Sequence, residues 1–181
     1  MILYGMKMID IIENCCSPYY LQMFIKMVPS LDKWQVEYED YNKINLRKLN
    51  LIEGEKIKED FLSGIAVGLL MQIYAAGGHK YFTPTIEFCG LSIKDKDTPI
   101  NMHFDPWPED VVKILGLLNH NWNPNKDGGG FIIKEDVYDL KPTNFLLFDS
   151  REEHSNAKIL SDKKRVAIDF AVSKRKTKYW I

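Results

Sequence analysis

From about residue 81 onward the chain breaks into short apolar runs rich in β-branched residues, and this texture restricts its fold more than any other feature. The runs are Thr85 to Ile93, Val111 to Leu118, Gly130 to Lys134, Phe145 to Phe148 and Val166 to Val172. Turn-forming stretches such as Asp97-Thr98-Pro99 and Asn123 to Gly128 separate them. Several short strands at this spacing specify a β-sandwich or barrel rather than alternating βαβ units. Earlier residues read as helical. Ser17 is an N-cap with Pro18 at the first helical position, and Leu21, Phe24, Ile25 and Val28 recur at helical spacing before Pro29. A second helix is predicted over Glu59 to Ala76, with Phe61, Leu62, Ile65, Leu69, Leu70 and Ile73 on one face and Gly77-Gly78 at its end. The expectation is an α+β chain in one domain over 1–181. Supporting helices occupy about 1–80 and a jelly-roll-like core occupies about 81–175, with no internal repeat or low-complexity linker.

Composition excludes several classes. The 24 Lys+Arg against 25 Asp+Glu leave a formal charge of -1, so no nucleic-acid partner is expected. The longest apolar stretch, Ile65 to Gly78, is interrupted by Gln72 and is shorter than the roughly 20 residues of a membrane span, so no membrane is expected either. The first residues lack the basic leader, apolar run and cleavage site of a secretion signal. Cys15, Cys16 and Cys89 suit neither a disulfide framework nor a zinc finger, which favours the cytoplasm.

Chemistry concentrates around one of the four histidines. In Met102-His103-Phe104-Asp105, residues i and i+2 of a strand project from one face, so His103 and Asp105 can address one ion. His154, after the strand Phe145 to Phe148 and a polar turn, is the candidate third ligand. Two histidines and one carboxylate with open positions opposite suit non-haem Fe(II) oxygen chemistry. The same three ligands also suit a zinc hydrolase, and a non-catalytic jelly-roll binding module would carry the residues by coincidence.

The surrounding residues form a longer series. Asp105 is followed by a strand ending in Leu118-Asn119, then Trp122, Gly128-Gly129, His154 and, eleven residues later, Arg165 opening the run RVAIDFAV. Over roughly Ile86 to Val172 this series resembles the 2-oxoglutarate-dependent Fe(II) dioxygenases, in particular their prolyl-4-hydroxylase-like branch. The resemblance implies a double-stranded β-helix fold, with His103, Asp105 and His154 as catalytic metal ligands. It implies Fe(II) as cofactor, with 2-oxoglutarate and dioxygen as cosubstrates. Arg165 would bind the distal carboxylate of 2-oxoglutarate, a task that a guanidinium performs bidentately at any working pH. The expected reaction is hydroxylation of a peptidyl proline or related residue, with succinate and CO2 as co-products. The partner is then a peptide or protein, or else a small molecule, and the intact Asp105 favours hydroxylation over halogenation.

The chain departs from that pattern at two positions where relatives carry a tyrosine near the cosubstrate, namely Lys94 and Leu117. Lys164 is the alternative to Arg165 as anchor. Other candidates rank lower. His79 follows a helix, His120 lies in a turn, and Trp107 and Trp122 suit either the site mouth or the core. Gly128-Gly129-Gly130 reads as a bend at a strand entry. Asp149, Ser150 and His154 lack the strained elbow of a hydrolase triad. The basic tail Lys174 to Lys178 reads as a solvated terminus. Residues Trp34 to Leu51, with Tyr38, Tyr41, Asn42, Asn45 and Arg47, are the candidate peptide grip.

Overall fold

A computed structural model of the chain describes residues 8–30, 34–37 and 46–175. Tyr38, Tyr41, Asn42 and Asn45 of the candidate peptide grip, and Lys176 to Lys178 of the basic tail, lie outside these residues.

Both expected helices form. Helix α1 spans Pro18–Met27, and the Tyr20 amide donates to the Ser17 hydroxyl oxygen at 3.2 Å, capping its first turn. Its Leu21 and Phe24 are buried. Helix α2 spans Asp60–Ala76 and buries Leu62, Ala66, Leu69, Leu70 and Ile73. Each of these leucine, isoleucine and phenylalanine side chains removed from water contributes about 1.5–3 kcal/mol.

Eight strands make one antiparallel sheet. They are β1 (Ile9–Ile12), β2 (Gln35–Glu37), β3 (Leu46–Glu53), β4 (Lys56–Ile57), β5 (Phe82–Lys94), β6 (Val111–Leu117), β9 (Phe145–Asp149) and β11 (Arg165–Lys174). The order is β1-β9-β6-β11-β5-β3-β2, with β4 beside β3. A second antiparallel sheet, β10-β7-β8, joins β7 (Phe131–Ile133), β8 (Asp136–Tyr138) and β10 (His154–Asn156). Side chains alternate across a strand, so each strand of the large sheet serves two layers. On β11, Val166, Ile168, Phe170 and Val172 join the core beneath the helices. Ala167 instead packs with Leu115, Leu117, Leu146 and Phe148 against Phe131 and Ile133 of the small sheet. The result is a helical layer, a large sheet and a small sheet, with a cavity between the two sheets.

The helical reading of residues 1–80 is corrected here. That stretch also holds β1 to β4, and β3 runs between β5 and β2 as a full member of the large sheet. Its strand period was hidden because the register with β5 shifts between Asn50 and Ile52, so Leu49, Leu51 and Ile52 are all buried.

Candidate metal centre

His103 and His154 reach each other through the backbone. They form an isolated antiparallel bridge in which each amide donates to the other's carbonyl, at 3.0 and 2.9 Å. A residue pair that exchanges both hydrogen bonds projects its side chains from one face, and the two imidazole centroids lie 4.5 Å apart. Each ring is also fixed from behind. The Nδ1 of His103 lies 2.9 Å from the Asn101 carbonyl oxygen, and that of His154 lies 2.9 Å from the Glu152 carbonyl oxygen. A carbonyl only accepts, so both Nδ1 atoms carry the proton and both Nε2 lone pairs face forward. Asp105 meets them there. Its Oδ1 is 3.9 Å from His103 Nε2 and its Oδ2 is 3.5 Å from His154 Nε2. One ligand atom from each of the three side chains falls within 4.8 Å of the others, a spacing that can hold a single ion. Burial lowers the pKa of His154, which favours the neutral ring that a metal requires.

The sequence reading missed the neighbours of Asp105. Lys113, in the wholly buried strand β6, places its Nζ 2.6 Å from Asp105 Oδ2 and 2.6 Å from Asp169 Oδ2. Burial alone would raise the pKa of Asp105, but the charge and hydrogen bond of Lys113 outweigh it and hold the carboxyl below its usual range. A lone lysine in VVKILGL and a lone aspartate in RVAIDFAV were the available signals, since a charge in an apolar strand needs a partner.

Arg165 lies at the other end of the cavity, on β11 in register with Lys94 of β5. It is 1% exposed, and its guanidinium carbon stacks 4.2 Å from the Phe131 ring centroid. Its Nε and Nη2 have no hydrogen-bond partner among the described residues. Burial pulls its pKa well below the ordinary arginine range, to about 9. A fully buried cation with unsatisfied donors is costly unless something anionic completes it, and a carboxylate has the matching fork geometry. This orphaned guanidinium is the test of fit for a dicarboxylate cosubstrate, and the residues pass it.

Local structure aims Arg165. Asn119 brackets it, its Oδ1 accepting from the Val166 amide at 2.6 Å and its Nδ2 donating to the Lys164 carbonyl at 3.0 Å. The Leu-Asn pair thus secures the start of β11, while Lys164 itself is exposed. Gly129, at φ +68°, approaches Arg165 so closely that an added Cβ would lie 3.0 Å from its Cδ. The glycine run is therefore a bend that makes room for the arginine. Between the two ends, a cavity of about 300 Å³ has the small residues Gly90, Ser92 and Ala167 on its sheet wall. Lys94 also lines it and donates to Asn156 Oδ1.

The remaining candidates separate cleanly. Trp107 lines the cavity, tilted against Phe88 at 6.0 Å between centroids. Trp122 is a core residue whose indole N–H donates to the Gly128 carbonyl at 2.9 Å. His79 is exposed and hydrogen-bonded to the Tyr74 carbonyl, and neither it nor His120 lines the cavity. Ser150 donates to the Pro108 carbonyl at 2.9 Å and Asp149 pairs with Lys174 at 3.1 Å, so the triad reading has no free nucleophile.

No protein-family model and no curated protein matches the chain. Solved structures do. A Pseudomonas putida prolyl-4-hydroxylase is 14% identical with a TM-score of 0.65, the match covering 92% of each chain. A Trichoplax adhaerens prolyl hydroxylase, solved with a peptide fragment of the hypoxia-inducible factor oxygen degradation domain, is 19% identical with a TM-score of 0.60, covering 91% of this chain and 83% of that one. HygX from Streptomyces hygroscopicus, solved with nickel and 2-oxoglutarate bound, is 11% identical with a TM-score of 0.63, covering 91% and 82%. The chain shares its fold with these proteins.

Proposed function

We propose that the protein is an Fe(II)- and 2-oxoglutarate-dependent dioxygenase, its two sheets forming a double-stranded β-helix, that hydroxylates a peptidyl proline or related residue. One observation carries this reading. A cavity between the sheets joins a His103–Asp105–His154 cluster to an uncompensated, fully buried arginine. A zinc hydrolase has no use for the second feature.

When bound, Fe(II), 2-oxoglutarate and dioxygen supply the oxidant for an unactivated C–H bond, releasing succinate and CO2. The protein supplies the geometry. His103 and His154 present Nε2 because their Nδ1 protons are committed to backbone carbonyls. Asp105 stays ionised beside Lys113. Arg165, whose Nε and Nη2 have no partner among the described residues, would hold the distal carboxylate of the cosubstrate. Phe88 and Trp107 line the cavity together with the three ligand residues. A peptide substrate is supported by the peptide seated on the Trichoplax relative of the same fold. The free thiols of Cys15, Cys16 and Cys89 suit a reducing cytoplasm.

Anaerobic addition of Fe(II) and 2-oxoglutarate tests the reading. A weak visible charge-transfer band is expected, lost in His103→Ala and Asp105→Ala. In Arg165→Ala it should persist only at much higher cosubstrate concentration. Absence of the band, together with no conversion of 2-oxoglutarate to succinate, would refute it. Peptides that gain one oxygen in a library screen then identify the substrate.

A further inference from the structure

The ion pairs of Lys113 connect to the candidate metal centre through one carboxylate. Lys113 sits in β6, where every residue from Val111 to Leu117 is buried, and its side chain is 2% exposed. Its Nζ lies 6.0 Å from the centroid of the Phe88 ring. Lys113 is in register with Ala171 on β11, and Asp169 with Leu115 on β6, so Lys113 and Asp169 are diagonal neighbours on the cavity face. The ammonium contacts Asp105 Oδ2 and Asp169 Oδ2 at the same 2.6 Å distance. It therefore bridges a ligand of the centre to a carboxylate that is not one.

From this geometry we infer that Lys113 is a positioning residue that shares Asp105 with the metal, and that Asp169 sets how strongly it does so. The inference rests on the metal-site reading above. Lys113 pairs with Oδ2, the oxygen that also lies 3.5 Å from His154 Nε2, so the ammonium and an ion held by the two histidines would draw on the same carboxylate. Lys113 also sets the charge an arriving cation meets. Two carboxylates and one ammonium leave a single negative charge around neutral imidazoles, whereas without the ammonium the ion would meet two. Asp169 draws part of the ammonium's charge away from Asp105. Without it, Lys113 would bind Asp105 alone and compete harder with the metal.

The two substitutions therefore act in opposite directions, which a purely structural role does not predict. The measurement is Mn(II) binding to the full chain without cosubstrate, with free ion read by electron paramagnetic resonance. Lys113→Met should lower Kd by about tenfold or more, from the loss of a unit charge within a few ångströms of the ligand. Asp169→Asn, nearly isosteric, should raise Kd by about tenfold on the same basis. The double variant should return to within about threefold of wild type, because the two charges removed offset each other. Both single variants weakening binding, or Asp169→Asn leaving it unchanged, would overturn the inference. If Lys113→Met does not fold, Lys113→Gln takes its place with the same expected fall in Kd. Failure of the wild-type protein to bind Mn(II) would instead refute the metal-site reading, and this inference with it.

Discussion

Replacing Arg165 by methionine should stabilise the ligand-free protein while removing its affinity for 2-oxoglutarate. The guanidinium is wholly buried, and burial pulls its pKa well below the ordinary arginine range, to about 9. At about 1.36 kcal/mol per unit, keeping it charged costs the fold ~5 kcal/mol. Stacking on Phe131 returns about 1–2 kcal/mol of that. Methionine has similar length and fills irregular apolar space, so the net gain near neutral pH is about 3 kcal/mol. For a chain of this size that corresponds to a rise in Tm of roughly 6–12 °C. The gain has a defined pH window. Below pH 9 both folded and unfolded chains hold the Arg165 proton, and the full cost applies. Above pH 9, and up to the ordinary arginine range, only the unfolded chain holds it, so wild-type stability from this group rises with pH. The advantage of the variant is therefore constant below pH 9 and shrinks above it. Urea denaturation of both proteins at about pH 7.5 and 10.5 measures this, and calorimetric titration with 2-oxoglutarate in the presence of Mn(II) measures the lost affinity. A variant less stable than wild type at the lower pH, or a stability gap that does not shrink at the higher one, would refute the picture of an uncompensated buried cation.

Asn119→Ala removes both bonds that bracket Arg165 and should cost about 1–3 kcal/mol in urea denaturation while raising the Kd for 2-oxoglutarate. Gly129→Ala forces a side chain onto a backbone at φ +68° and against Arg165, so a loss of about 1–3 kcal/mol with weaker cosubstrate binding is expected by the same two measurements. Mn(II) at 100 times its Kd should add about 2.7 kcal/mol to wild-type stability, which excess chelator reverses, and His154→Ala should abolish the increment.

The residues that proved legible were those whose signal is local. Ser17-Pro18 and the 3.6-residue spacing after it located α1 to within a residue or two, because a helix closes its hydrogen bonds within its own segment. His103, Asp105, His154 and Arg165 were singled out by spacing and company, and all four line one cavity. Strand β3 was not readable, because its burial depends on β5, some forty residues away, and on a bulge that breaks its alternation. Lys113 and Asp169 stood in plain view as single charges in apolar strands. Their pairing depended on the register of β6 against β11, which no local pattern encodes.

Strand β1 is only four residues long, yet it covers one edge of the large sheet. It lies along β9, whose Phe145 to Phe148 are all completely buried, and Tyr81 ties it down through Asp10. A chain trimmed to begin after Asn14 would leave β9 as a bare apolar edge with a free row of amides and carbonyls. Such an edge recruits the nearest strand of matching character, and the β9 of a second molecule is one. Proteolysis or shortening at this end would thus convert a guarded sheet into one that self-associates, with the metal-binding residues untouched.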